Sequence, residues 1–472
     1  MRTYVLDQKS KTPLYEQLYR ALKADILRGE IAGGEKLPSK RALAEHLNIS
    51  CITVENAYNQ LLTEGYLVSR PRSGYYAETL EALPKMRQVS VPVVPVTVTP
   101  PPSPSADQFP FSIWARLMRG VLLDQHDALL QLPPNNGLPE LRCAIAGMLR
   151  RSRGMEVDPD CIVLGAGAEY LYNILIQLLG QENIFGVENP GHQKVRQVYA
   201  VNRVQVNFIG LDENGISMKA LQDSQTTVLH ISPSHQYPTG LVTPIGRRSQ
   251  IMAWLGAEPN RWLVEDDYDS EFRFSGRVIP TMYSMDDIGR VIYMNTFSKT
   301  ITPALRISYM ILPPDLMARY RERLGFYSCT VPSFEQLTLA RFLDEGYFEK
   351  HVSRMRRHYR ILRDQFLELL HQSPQADKMT IQGQEAGLHF LLKLETALPD
   401  EVLVARLAQG GVRADSLSKY ETGLQTELVR GRVVISYSDL AEADLPRVMA
   451  ILEQLVSEET PAGGCKTSKV PR

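Results

Sequence analysis

Residues 13–29, PLYEQLYRALKADILRG, place apolar side chains at Leu14, Leu18, Leu22 and Ile26. A spacing near four predicts an amphipathic helix, and Gly29 to Gly34 break it. In LPSKRALAEHLNIS, Ser39 has the character of an N-cap, and Leu43, Ala44 and Leu47 form the apolar stripe of a second helix. Asn48 and Ile49 make a short turn. A third helix starts near Ser50, with Val54, Ala57, Tyr58, Leu61 and Leu62 facing inward. YLVSRPRSGYYA then reads as strand, basic turn and strand, with Arg70, Arg72 and Gly74 at the tip.

Further on the periodicity changes. Short apolar runs alternate with helical stretches: CIVL at 161–164, NIFGV at 183–187, TVLHI at 227–231, WLV at 262–264, RVIYM at 290–294 and ISYMIL at 307–312. Each is followed by polar, Gly-rich or Pro-containing residues, the rhythm of an α/β domain with a mainly parallel buried sheet. Between the two patterns lies VSVPVVPVTVTPPPSPS, Val89 to Ser105, whose prolines favour an extended spacer. The expected division is a head at 1–78, a Pro-rich linker at 79–109, a body at 110–458 and a disordered tail at 459–472.

Helix, tight turn, helix and a basic hairpin suit DNA, with the third helix in the major groove. Ser50, Cys51, Thr53, Glu55, Asn56 and Asn59 would occupy its polar face. Asn and Thr side chains read base edges, while Arg41, Arg70 and Arg72 would hold phosphates. A small three-helix interaction module is the alternative. The head carries 11 Lys and Arg against 8 Asp and Glu over residues 1–77, a mild basic bias. The whole chain of 472 residues has a formal net charge of -1, so DNA binding has to come from a local patch. Five scattered cysteines show no CxxC and no nearby His pair, so neither a metal site nor a disulfide framework is expected. With no signal-peptide core at the N-terminus and no apolar run of membrane-spanning length, the expected location is the cytoplasm.

In parallel sheets, ligands collect beyond the carboxyl ends of the strands. After CIVL, Gly165 and Gly167 turn the chain into a helix starting near Ala168, whose free amides make an anion site or simply a tight turn. After WLV, Asp266 and Tyr268 are two residues apart and point the same way in extended chain. Such an acid holds a proton on a heterocycle nitrogen, or belongs to a solvated acidic loop. After RVIYM come Thr296, Ser298, Lys299 and Arg306. A desolvated lysine at a strand mouth attacks carbonyls; two hydroxyls and a guanidinium suit a phosphate. Each residue alone has a bland explanation. Acid, phenol, lysine and phosphate donors at one sheet edge together suit pyridoxal 5'-phosphate, an aldehyde with a protonatable ring nitrogen and a phosphate.

Two families carry these motifs. LPSKRALAEHLNIS, TVENAYNQLLTEGYL and RPRSGYY resemble the winged helix-turn-helix of GntR-type bacterial regulators across residues 11–77. NNGLPELRCAIAGMLRRSRG, NPGH, SPSHQYPTG, EDDYDSEF and TFSKTITPALRISY resemble, in that order, fold-type I aminotransferases. Together they look like the MocR subfamily, regulators that use an aminotransferase-like domain as a sensor. The resemblance implies a winged head joined by the Pro-rich linker to a large, mostly parallel sheet domain with a smaller α+β C-terminal domain. It implies Lys299 as the Schiff-base lysine, Asp266 as partner of the pyridine nitrogen, Tyr268 near the ring oxygen, and Ala168, Glu169, Thr296, Ser298 and Arg306 around the phosphate. It implies a double-stranded DNA operator contacted through the head, with Ser39 beside the residues above, and a small amine, amino acid or vitamer as effector. A head-to-tail, domain-swapped homodimer is implied by the same resemblance. A working aminotransferase with an accessory head is the alternative function.

The chain departs from these families at four points. Cys51 stands where the recognition helix usually has Arg. His192 replaces the aromatic residue that stacks on the cofactor ring. Lys194 stands where many relatives have Arg. Val434 occupies the place of the arginine that takes the substrate carboxylate; Arg432, two residues earlier, would point the same way on a strand, whether or not it substitutes. Lys194 and Arg432 are therefore the expected effector contacts.

Overall fold

The computed structural model describes residues 2–79, 109–274, 279–423, 429–437 and 440–457. The chain forms two compact units, Met1–Val98 and Thr99–Arg472. The Pro-rich linker, apart from its ends, and the expected tail lie outside the described residues.

In the first unit, α1 (Leu14–Leu27), α2 (Lys40–Leu47) and α3 (Cys51–Thr63) precede a hairpin of β1 (Leu67–Arg70) and β2 (Gly74–Ala77). The core is the one the apolar spacing selects: Leu18, Leu22 and Ile26 from α1, Leu43 and Ala44 from α2, and Val54, Ala57, Tyr58 and Leu61 from α3 are all buried. Serines start the second and third helices. Ser39 Oγ accepts from the Ala42 amide at 3.2 Å, and Ser50 Oγ accepts from the Thr53 amide at 3.1 Å. Asn48 ends α2 in the left-handed region (φ 52), which makes the turn between them short. The buried Tyr58 hydroxyl donates to the Pro38 carbonyl at 3.0 Å, tying α3 to the segment before α2.

The second unit is built on an eight-stranded sheet of β3 (Ile162–Gly165), β4 (Ile184–Asn189), β5 (Gln205–Asp212), β6 (Gly215–Ile216), β7 (Val228–Ile231), β8 (Trp262–Asp266), β9 (Val291–Thr296) and β10 (Ser308–Ile311). Its order is β3-β10-β9-β8-β7-β4-β5-β6. The central pairs β9–β8, β8–β7, β7–β4 and β4–β5 are parallel, whereas β10 runs antiparallel to both β3 and β9. That reversal comes from the short turn after Thr296, which leaves too little chain for a crossover. Every residue of β9 is buried, because helices cover both faces. Four antiparallel strands, β11 (Met379–Gln382), β12 (His389–Leu394), β13 (Ala414–Ser416) and β14 (Arg432–Ser436), form the smaller sheet in the order β11-β12-β14-β13. The 26-residue helix Tyr347–Gln372 serves both cores: Phe348 and Val352 pack with the large sheet, while Leu362 and Phe366 pack with the small one. No helix among the described residues is long and apolar enough to cross a membrane.

Candidate functional sites

On the head, α3 presents Cys51, Ile52, Asn56 and Asn59 to solvent, and α2 presents Arg41. Arg70 and Arg72 are exposed at the hairpin tip, where Arg72 adopts φ 61 and Arg70 stacks 4.5 Å from the Tyr76 ring centroid. Ser39 and Ser50 sit at helix starts with their hydroxyls engaged in capping, and Thr53 is half-buried with its hydroxyl 2.8 Å from Ser50 Oγ. Glu55 is paired with Lys40. Ile52, 68% exposed, was not among the expected contacts. An exposed apolar side chain in this place suits a thymine methyl.

In the body, the ends of β3, β8 and β9 bring the expected residues to one edge. After Gly165 the chain passes through Gly167 (φ 97) into the helix Ala168–Leu179. At φ 97 the backbone of Gly167 favours glycine, and a Cβ there would lie 2.1 Å from Arg306 Nη2 and push that guanidinium aside. Arg306 enters the hollow beside Gly167 from the turn after β9, in the left-handed region at φ 52. Ser298 contributes a buried hydroxyl with no hydrogen-bond partner among the described residues. A buried orphan hydroxyl after β9, and a guanidinium beside the start of a helix, are groups that a phosphate would satisfy. Thr296 differs from expectation: its hydroxyl accepts from the Ser298 amide at 3.1 Å and from Ser308 Oγ at 2.8 Å, so it builds the turn. Glu169 lies in the hollow, with Oε2 accepting from Arg306 at 2.8 Å and Oε1 from Lys194 at 3.0 Å.

Asp266, at the end of β8, is buried behind this edge. Its Oδ2 accepts from the Tyr172 hydroxyl at 2.5 Å and lies 3.5 Å from His230 Nε2, while His230 Nδ1 meets the Tyr199 hydroxyl at 2.7 Å. Burial alone would raise the Asp266 carboxyl, but His230 and Tyr172 outweigh it and hold it below the usual range. The residue is an anion at neutral pH, fit to retain a proton on a ring nitrogen. Tyr172, Tyr199 and His230 were not anticipated; the one available sign was a histidine inside the apolar run TVLHI.

Lys299 and Tyr268 line a cavity of about 380 Å³ together with Tyr237, His389, Arg413, Asp415, Val434 and Ser436. Tyr268 donates to the His235 carbonyl at 3.0 Å, and burial pushes its phenol well above the ordinary value, so it stays protonated. His192 starts the helix Gln193–Val201, and its Nδ1 accepts from the Lys194 amide at 3.2 Å, with 5.0 Å between its ring and that of Tyr237. The residue as a whole is exposed, yet the protein packed around its ring, with Lys299 and Lys194 nearby, pulls its pKa down to about 4 against Asp266. A neutral ring at pH 7 is the form suited to stacking.

The two expected effector contacts lie elsewhere. Lys194 is paired with Glu169, which also holds Arg306. Arg432 opens β14 opposite Lys393, and the cavity wall is made instead by Val434 and Ser436 further along that strand. Arg413, just before β13, is the guanidinium that lines the cavity; the β13–β14 register carries it towards Ser436 and away from Arg432. Long separation in sequence hid it, as it hid His235, Asp269 and His389. These three bring potential ligand atoms within 4.8 Å of one another, although the sequence spacing had suggested no metal site. His235 Nδ1 bonds to Asp269 at 2.9 Å, and Asp269 also accepts from the Leu388 amide at 3.0 Å.

Beside the site, burial pushes the Glu188 carboxyl up to about 8, outweighing the Ser232 amide and the Gln236 side chain. Such a group binds more protons folded than unfolded from its unfolded pKa near 4.5 up to about 8, so its contribution to stability is lost as pH rises through that window. Glu188→Gln is expected to flatten the decline in stability by up to about 1.4 kcal/mol per pH unit. Urea midpoints at the two ends of the window check this; parallel slopes for both proteins would contradict it.

Residues 14–76 match the GntR family of bacterial regulatory proteins, and residues 105–450 match the class I and II aminotransferases. The chain is 37% identical to the uncharacterized HTH-type transcriptional regulator YdeL of Bacillus subtilis, covering 93% of this chain and 97% of that one. It is 34% identical to the probable rhizopine catabolism regulatory protein MocR of Rhizobium meliloti, covering 88% of each. In fold it resembles an archaeal alanine:glyoxylate aminotransferase, with a TM-score of 0.67 and 20% identity over 75% of this chain and 89% of that one.

Proposed function

This chain belongs to the MocR subfamily of GntR-type bacterial regulators, and from that membership we infer that it is a transcription regulator whose DNA-binding head is controlled by a pyridoxal phosphate-dependent sensor. The observation that carries the sensor reading is the meeting of Lys299, ionised Asp266 and the Gly167–Ser298–Arg306 hollow at one sheet edge. The residues fit the cofactor. Ser298, Arg306 and the amides from Ala168 onward would hold its phosphate, Asp266 the proton on its ring nitrogen, Tyr268 its ring oxygen and His192 its ring face. Lys299 would hold its aldehyde. When bound, the cofactor supplies an electrophilic carbon that exchanges one amine for another.

The effector is then a small amine, an amino acid or the vitamer itself, bound in the cavity that Tyr237 and Arg413 help to line. In an amino acid, Arg413 would face the carboxylate that Val434 cannot take. Arg41, Arg70 and Arg72 would grip DNA phosphates, with Cys51, Ile52, Asn56 and Asn59 towards the bases. Control requires that the effector bind two domain arrangements unequally. A head of residues 1–78, a linker of 79–109 and a head-to-tail homodimer acting in the cytoplasm complete the proposal.

The deciding experiment is titration of the protein onto the DNA upstream of its own gene, at several salt concentrations, with and without candidate amines. Affinity is expected to fall with salt and to shift when an amine saturates the sensor. Arg72→Ala is expected to reduce the log–log salt slope by about 1. Binding that ignores salt, or an unchanged slope in the variant, would contradict the assignment of the hairpin tip.

A further inference from the structure

Glu169 is the second residue of the helix Ala168–Leu179, where a carboxylate meets the positive helix end. Its two oxygens are divided between two cations, Arg306 at 2.8 Å and Lys194 at 3.0 Å. The Arg306–Glu169 pair faces Gly167, where a built Cβ would lie 2.1 Å from Arg306 Nη2 and 3.0 Å from Glu169 Oε2, and all three side chains keep part of their surface in solvent. Burial would raise the Glu169 carboxyl, but its own amide, Lys194 and Arg306 together draw it down to about 2, so it is charged throughout the physiological range. The hollow therefore already contains an anion held by the donors that suit a phosphate. Two like charges cannot share those donors without cost.

We propose that Glu169 is a built-in competitor for the cofactor's phosphate, occupying Arg306 and Lys194 until the phosphate displaces it and so keeping the cofactor exchangeable. The proposal rests on the pyridoxal phosphate reading above. It gives the sensor a way to follow the concentration of a phosphorylated vitamer, because a site that held the phosphate too tightly would stay saturated. Ser298 and the helix amides attract the phosphate, and Glu169 sets how strongly the two side-chain cations add to them.

The test compares wild type with Glu169→Gln, which keeps shape and hydrogen bonding and removes the charge. Both proteins, stripped of coenzyme, are titrated with pyridoxal 5'-phosphate and with pyridoxal, which lacks the phosphate, by absorbance and by equilibrium dialysis. The variant is expected to bind the phosphorylated form about three- to tenfold more tightly, the range open to a partly exposed charge pair, and pyridoxal unchanged. Equal or weaker binding of the phosphorylated form by the variant overturns the proposal, as does an equal gain for pyridoxal. Failure of either protein to bind any form overturns the cofactor reading and the proposal with it. A crystal of the wild type with coenzyme needs no variant: Arg306 turned from Glu169 to the phosphate supports displacement, and an intact 2.8 Å pair beside a bound phosphate refutes it.

Discussion

Lys299→Ala is expected to abolish covalent attachment of pyridoxal phosphate and, with it, every amine-dependent change in DNA binding. Lys299 comes after the buried strand β9 and the Thr296–Ser298 turn, and its side chain reaches the cavity also lined by Tyr268, His389 and Arg413. Among the described residues no other lysine lines that cavity. Borohydride reduction followed by peptide mass analysis should fix the coenzyme to the wild-type chain at Lys299 and nowhere in the variant. Because Lys299 is exposed to the cavity, unlike its buried neighbours Ser298 and Thr300, the variant should fold and melt much as the wild type does. Coenzyme fixed at another lysine in the wild type would remove the basis of the sensor reading.

Leu61→Ala is expected to unfold the head while sparing the body. Leu61 is fully buried in the small core it shares with Leu18, Val54 and Tyr58. Truncating such a leucine costs about 2–5 kcal/mol. A single core in a domain of this size supplies only about 3–5 kcal/mol in total, so the loss is enough to empty the native state. DNA binding should disappear, and proteolysis should clear the N-terminal unit. Coenzyme titration should be unchanged, since none of the body's cores includes Leu61. A comparable loss of coenzyme binding would show that the two units do not fold separately.

The head was legible in the sequence because its information is local. Ser39 and Ser50 start helices, Asn48 and the glycines end them, and apolar residues recur at helical spacing, so each element declares itself within a dozen residues. The central strands were equally plain, since β9 and its neighbours are buried on both faces and carry unbroken apolar runs. The strand β5 was missed: it is only partly buried, and Gln205, Asn207 and Asp212 interrupt its apolar character. The smaller sheet was expected from resemblance alone, its edge strands β11 and β13 being short and only partly buried.

At the site, the sequence by itself determined the chemistry placed after three of the large sheet's strands: glycines and a helix start after β3, an acid and a phenol after β8, hydroxyls, lysine and arginine after β9. These were readable because parallel strands deliver the residues at their carboxyl ends to a common edge. Only the tertiary structure decided which groups meet. It turned Thr296 inward to build its own turn, and gave Lys194 to Glu169 instead of the cavity. It left Arg432 off the cavity wall while Arg413 came to line it, and backed Asp266 with Tyr172 and His230. Such pairings depend on strand register and side-chain direction between segments far apart in the chain, where moving one residue along a strand reverses the face a side chain occupies.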